Sequence, residues 1–224
     1  MVDLGDRIDQ TVGLRCLTLA ERLRQAGVPG VLDIVPSFTA VAIYFEPHGT
    51  LGQDPIAYLT EVVNGIVSQI ADGATLTARR IQIPVCYGGK HGPDLDDVAK
   101  RMGMSPQEVV QAHHGSFCRV YMIGFAPGHP YIGIHDERFN LPRREVPRTS
   151  LPAGSLGVAN RQSTIYPNVL PGGWHIIGAT PLRLFDAEAQ QPTLLMPGDE
   201  IEFVPIDAAQ FDALKAQDST ETRA

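Results

Sequence analysis

Apolar positions fall at helical spacing over residues 9–26. Val12, Cys16, Leu19, Ala20 and Leu23 recur at three- and four-residue steps, and Gly27 follows where a left-handed residue closes a helix. Pro29 and Gly30 mark a turn, and residues 31–35 form a short apolar run stopped by Pro36. Residues 39–45 alternate. Val41, Ile43 and Phe45 face one way and Ala40, Ala42 and Tyr44 the other, the pattern of a strand covered on both faces. Pro55 opens a second helix, expected to run to about residue 71 with Ile56, Leu59, Val63, Ile66 and Ile70 as its buried stripe. Residues 81–85 alternate again as a strand. The order helix, strand, strand, helix, strand lacks only a strand before the first helix to make a split βαβ unit, and only residues 2–4 are available for it. The chain thus reads as α+β, with an N-terminal ferredoxin-like α/β sandwich over residues 1–88.

Residues 89–116 read as a helical connector holding two short helices separated by Gly103. The second has a sharp start: Ser105 at the N-cap, Pro106 at the first helical position and Glu108 two residues later, a capping box. The pair mimics a DNA-binding helix-turn-helix. Its recognition helix would carry no Lys or Arg over 106–114, and Glu108 would face phosphates, so the sequence argues against that role.

Beyond residue 116 the pattern changes. Gly and Pro recur every few residues, which excludes long helices, and short β-type runs lie between them at 120–125, 155–159, 164–166 and 174–177. Pro197, Gly198 and Asp199 turn the chain into a last alternating strand at 200–204. A β-barrel over 117–207 and a polar, frayed tail over 208–224, with at most a helical turn at 210–215, complete the expected organisation.

Charge sharpens this picture. From residue 138 to 185 there are six Arg and one acid, Glu145, a local surplus of five positive charges in a chain of net charge −7. That asymmetry points to a pocket for an anionic or carboxylate-bearing ligand, or to Arg side chains that pin their own turns. A sequence pI near 5.4 argues against a nucleic-acid partner. No run of 18 apolar residues exists, so no membrane span is expected. The start MVDLGDRIDQ is unlike a signal peptide, and three Cys (16, 86, 118) are too few for a disulfide framework. Both point to the cytoplasm.

Motifs for familiar chemistry are missing. Gly89-Lys90 lacks the earlier glycine and the following Ser or Thr of a P-loop, and no GxGxxG follows a strand. The run Gly154-Ser155-Leu156-Gly157 is not a nucleophile elbow. The seven His show no metal-ligand spacing, so no metal is expected. What remains is a polar and aromatic set on Gly/Pro-rich loops: His129, Tyr131, Arg148, Ser155, Gln162, Tyr166, Gly172, Gly173 and Trp174. Gly172 and Gly173 let the backbone approach a ligand and present N–H groups. Trp174 and the tyrosines serve equally as core filling. No nucleophile–base pair can be assigned.

Several stretches carry a resemblance. They are IPVCYGG at 83–89, GPDLDDVAKRMGMSPQEVVQAH at 92–113, VYMIGFAPGHPYIG at 120–133, PRREVPRTSLPAGSLGVANRQSTIYP at 142–167, PGGWHIIGATPLRLFD at 171–186 and LLMPGDEIEFVPI at 194–206. In these the chain resembles the family of 5-oxoprolinase B subunits, also called KipI or allophanate hydrolase subunit 1 (carboxyltransferase domain, subdomains C and D). The resemblance implies a ferredoxin-like domain followed by a cyclophilin-like β-barrel. It implies two further subunits as partners, one of the A type and one of the KipA-like C type, a carboxyltransferase A/B homologue. Such assemblies open 5-oxoproline to glutamate with ATP and Mg. The nucleotide is then held by the complex rather than by a motif here, and the isolated chain is expected to be inactive. Alternatives within the same resemblance are a carboxyltransferase or allophanate-type subunit of urea degradation and an inhibitor of a histidine kinase. The chain departs from the family's usual residues at His129 (usually Phe), Asn160 (Gly), Leu170 (Ser) and Ala179 (Arg), which leaves the substrate open.

Overall fold

A computed structural model describes residues 1–46, 54–70, 77–115 and 118–221. The chain divides into two compact units, Met1–Ala78 and Arg79–Ala224.

In the first unit β1 (Val2–Asp3), α1 (Gln10–Ala26), β2 (Val31–Pro36), β3 (Ala40–Phe45) and α2 (Pro55–Val67) follow in order. Asp9 caps α1 by accepting a hydrogen bond from the Val12 N–H, and Gly27, at φ 55°, ends it in the left-handed conformation. Cys16, Leu19, Ala20 and Leu23 form the buried stripe, packed with Ile34, Val41, Val63 and Ile70. Burial of a leucine such as Leu19 contributes about 2 kcal/mol. The three strands pair antiparallel in the order β1-β3-β2. Two expectations change. Ile56 is exposed rather than part of the α2 stripe, and α2 ends at Val67; the expected end near residue 71 lies outside the described residues.

The strand read at 81–85 does not join this sheet. It is β4 (Arg80–Tyr87), and it enters the barrel of the second unit, parallel to β12 (Glu200–Pro205) and antiparallel to β11 (His175–Ala179). Alternation reveals a strand with a covered face but not which neighbours cover it, so a boundary at residue 88 falls past a strand that belongs to the second unit.

The other barrel strands are β5 (Cys118–Ile123), β6 (Pro130–Gly133), β8 (Ser155–Ala159) and β9 (Gln162–Ile165). The closed order is β11-β4-β12-β5-β6-β9-β8, and a separate ribbon joins β7 (Arg148–Leu151) to β10 (Leu170–Gly172). Ile83, Val85, Val120, Ile132, Leu156, Val158, Ile165, Ile177, Ile201 and Phe203 fill the barrel core. Helices α3 (Leu95–Met102) and α4 (Pro106–His114) add Leu95, Val98, Ala99 and Val109 to it, so the helical pair is part of the barrel unit. The Ser105–Glu108 capping box forms as read. Residues 208–221 of the expected frayed tail form a helix instead, α5 (Ala208–Glu221), which seats Phe211 beside Cys86 and Ala179; the last three residues lie outside the described ones. Phe211 and Leu214 are the only large apolar side chains of an otherwise polar and Ala-rich stretch, a signal too sparse for a periodicity reading.

Candidate functional site

The structure gathers five of the expected residues on one side of the barrel. His129 precedes β6 and Tyr131 lies in it; Tyr166 follows β9; Gly172 ends β10 and Trp174 precedes β11. The His129 ring centroid lies 5.2 Å from that of Tyr131 and 5.3 Å from that of Tyr166. Tyr131 meets Trp174 edge-on at 6.1 Å. Leu151, Ala159 and Ile176 back the group. A side chain at Gly172 would collide with the Tyr166 hydroxyl, so that glycine is required for close approach. Phe125 stands over His129 at 5.2 Å and is 64% exposed at a positive φ of 72°. Gly173 sets its backbone on the segment carrying Arg143 and Arg144, where its carbonyl accepts from the Arg144 N–H at 2.7 Å.

His129 is neutral by burial, which pushes its pKa down to about 4. Thr164 spends its hydroxyl proton on the Pro130 carbonyl at 2.8 Å, so the His129 Nε2 at 3.0 Å is the donor to Thr164 Oγ1. Burial also pushes the Tyr166 phenol up to about 12, so it remains a hydroxyl.

Three expected residues do other work. Arg148 makes a two-pronged bond to Asp94, both contacts 2.7 Å, while Arg144 adds a third at 3.2 Å and the Ile176 N–H a fourth at 2.7 Å. Burial alone would raise the Asp94 carboxyl; the Arg148 and Ile176 hydrogen bonds, with the charges of Arg148 and Arg144, overcome it and hold it below the usual carboxylate range. Arg148 therefore fastens the loop 142–148 to the start of α3. Ser155 donates to the Pro152 carbonyl at 2.7 Å, bracing a turn. Gln162 is buried on β9.

The basic surplus dissolves once the chain is folded. Arg138 pairs with Asp136, Arg161 lies 3.8 Å from Glu137, and Arg183 pairs with Asp186. These acids sit just outside the 138–185 window or, like Asp94, far from it in sequence. Arg143 is the exception. Among the described residues no carboxylate lies within ion-pair distance of it, and its guanidinium stacks over Trp174 at 5.0 Å.

Sequence reasoning missed a second cluster, inside the barrel. Tyr87 Oη lies 2.8 Å from His113 Nδ1, His113 Nε2 lies 2.8 Å from Ser163 Oγ, and His135 Nε2 lies 2.7 Å from the same oxygen. His135 Nδ1 reaches Cys118 Sγ at 3.4 Å. Ser163 owns one hydroxyl proton, so at most one imidazole accepts from it and at least one donates to its oxygen. Burial drives the His135 pKa down to about 4 and that of His113 well below its ordinary value. A serine between two imidazoles suggests a nucleophile with its base. Ser163 and His113 have no exposed surface and His135 has 1%, so no substrate reaches them and the network serves the fold. Nothing in the sequence spacing of 113, 135 and 163 announces it. Among the described residues no group of three or more His, Cys, Asp or Glu is placed to hold a metal ion, and no helix is long and apolar enough to cross a membrane.

Comparisons with known proteins agree on one family. The family described as carboxyltransferase domain, subdomain C and D, matches residues 1–195. The chain is 37% identical to the B subunit of 5-oxoprolinase from Bacillus subtilis (strain 168), over 97% of this chain and 93% of that protein. It is 38% identical to the B subunit of 5-oxoprolinase from Escherichia coli O157:H7, over 85% and 84%. The crystal structure of TTHA0988 superposes with a TM-score of 0.79 at 32% identity, covering 92% of this chain and 40% of that longer one. Kluyveromyces lactis urea amidolyase shares the fold at a TM-score of 0.74, with 17% identity over 96% of this chain and 15% of that one.

Proposed function

The chain belongs to the family of carboxyltransferase domains, subdomains C and D, and from that premise we propose that it is the B-type subunit of an ATP-dependent 5-oxoprolinase. The observation that carries this reading is near full-length similarity to two proteins named as 5-oxoprolinase B subunits. In this reading two more polypeptides, one of the A type and one of the KipA-like C type, complete the enzyme in the cytoplasm, and ATP with Mg binds in the assembly. The first unit is a ferredoxin-like sandwich whose fourth strand has gone to the barrel, and the barrel is cyclophilin-like. The strand order β1-β3-β2 supports the former.

The substrate-facing surface in this proposal is Tyr131 and Gly172 with Arg143 beside them, backed by the buried rings of His129, Tyr166 and Trp174. The Tyr131 ring packs against a lactam ring, the Arg143 guanidinium neutralises its carboxylate, and the buried rings hold Tyr131 and Gly172 in place. Beside this surface Arg148 fastens its loop to Asp94, and the Ser155 carbonyl accepts from the Tyr166 N–H. Opening an amide with ATP develops negative charge on the carbonyl oxygen, which positioned donors stabilise. The decisive experiment is ATP hydrolysis by the three-component assembly, with and without 5-oxoproline and with this chain omitted. Stimulation that needs both the substrate and this chain is the expected result. Undiminished 5-oxoproline-dependent hydrolysis without the chain refutes the assignment.

A further inference from the structure

Helix α5 lies over the residue pair Cys86 and Ala179, where β4 meets β11, and the proposed chemistry does not use it. Its start is encoded locally. The Asp207 carboxylate accepts from the Gln210 N–H at 2.8 Å, and the Gln210 side-chain oxygen accepts from the Asp207 N–H at 2.9 Å, a reciprocal cap. Its attachment is sparse. Among its described side chains, residues 208–217, Phe211 is buried, Leu214 is half-buried and the rest are exposed. Phe211 packs on Cys86 and Ala179, and its ring centroid lies 4.1 Å from that of His91. A helix of 14 residues is marginal by itself, so this aromatic anchor decides whether α5 stays docked.

Two features ease release. His91, whose ring packs against Phe211, holds a buried Nε2 with no hydrogen-bond partner among the described residues, and that atom regains water when α5 moves aside. The junction with β12 also offers a pivot. The Ile206 N–H donates to the Val85 carbonyl at 2.9 Å and fixes the strand end, whereas Asp207 beyond it is exposed. Burial of one phenylalanine favours docked over released α5 by roughly 10- to 150-fold. Unfolding of a whole domain is rarer than about one part in a thousand. Release of α5 alone is therefore the more frequent event.

We infer that α5 is a reversible lid: it swings off the barrel as a unit about Asp207, while β4, β11 and β12 stay paired, and so governs access to Cys86. With α5 docked, Cys86 is 7% exposed. Burial, with the charges of Asp207 and Asp212, holds its thiol above the ordinary pKa against the opposing charge of Lys90. Release removes the burial and withdraws Asp212, which lies on α5, while Lys90 stays near the thiol. Cys86 is thus inert under the docked helix and open to thiol reagents once the helix leaves. Cys16 and Cys118 lie in the two apolar cores, where release of α5 does not uncover them. This device is independent of the enzyme assignment.

The experiment labels the full-length chain under native conditions with an aromatic disulfide reagent, dithiobis-nitrobenzoate, and mass spectrometry assigns each modified cysteine. Cys86 is expected to react roughly 10- to 150-fold more slowly than a cysteine in a short unstructured peptide, and about tenfold or more faster than Cys118. Low denaturant should hardly change the Cys86 rate but should accelerate Cys16 and Cys118, because only their exposure needs unfolding of a core. Phe211→Ala is expected to speed labelling of Cys86 about tenfold or more, with Cys16 and Cys118 unchanged. Phe211→Leu keeps an apolar anchor and should retain most of the protection. The lid is refuted if Cys86 of the natural chain reacts no faster than Cys118, or as fast as the free peptide. It is refuted equally if Phe211→Ala leaves Cys86 labelling unchanged or accelerates all three cysteines alike.

Discussion

Acid should loosen the barrel well above the pH at which carboxylates titrate, and the buried imidazoles set the size of the effect. His135 has an ordinary pKa of 6.5 and a folded value of about 4. The folded state excludes a proton that the unfolded chain binds, so stability is full above pH 6.5 and falls as pH drops from 6.5 toward 4. Integrating between these values, His135 alone removes about 2 kcal/mol at pH 5 and about 3 kcal/mol at pH 4. His113 and His129 are lowered in the same direction, each chiefly by burial. Asp94, lowered from 3.8, contributes little above pH 5, where its carboxyl is ionised in both the folded and the unfolded chain. For a unit of this size the His135 share corresponds to a melting-temperature drop of roughly 4–8 °C between pH 7.5 and 5. The assay is chemical denaturation followed by Trp174 fluorescence at half-unit pH steps. His135→Gln removes one titrating group, and through the lost contacts to Ser163 and Cys118 it lowers stability at pH 7.5 by about 2 kcal/mol. Its slope between pH 6 and 5 should be shallower by up to about 1.4 kcal/mol per pH unit. Equal stability of the natural chain at pH 7.5 and 5 would refute the reasoning, as would identical slopes for the two proteins.

Four further outcomes follow from the geometry. Asp94→Asn leaves Arg148 and Arg144 without their carboxylate and should cost about 3 kcal/mol, read as a drop in denaturation midpoint at unchanged m-value. Arg148→Ala should lower the activity of the complex more than Arg7→Ala, and should lower the melting temperature as well, because Arg148 acts through the loop it fastens; unchanged melting with lost activity would make it a ligand-binding residue instead. Gly172→Ala drives a methyl group into the Tyr166 hydroxyl and should cost about 2 kcal/mol, with an altered near-ultraviolet spectrum from the displaced aromatic rings. Ser105→Ala removes half of the capping box and should cost about 1 kcal/mol in thermal denaturation.

Elements whose cause is local were legible in the sequence. The stripe of α1 with its Gly27 stop, the capping box of α4 and the strand at 155–159 needed only spacing and cap chemistry. The destination of β4 was not legible, because an alternating strand looks the same in any sheet that covers its apolar face. At the site, the aromatic group emerged from composition on turn-rich loops, whereas the roles within it did not. Arg148 looked like a ligand-binding residue because its partner, Asp94, lies 54 positions away. The residue left without a carboxylate partner, Arg143, had the same sequence signature as its five neighbours. The buried His113, Ser163 and His135 come from three different elements, so only closure of the barrel brings them together.

The parallel pairing of β4 with β12 also sets a timetable for synthesis. Ile81 lies beside Ile201 and Ile83 beside Phe203, partners separated by 120 positions. Contacts of such span make closure slow and place it late. Until the ribosome has extruded β12, β4 has an unpaired edge and the apolar interior of the nascent barrel is open to other chains. The first unit has all of its described strands and both helices before residue 79, and can be folded while the barrel is still waiting. A chain stopped before residue 200 would therefore display a finished head on an unclosed barrel, the species that chaperones and proteases select.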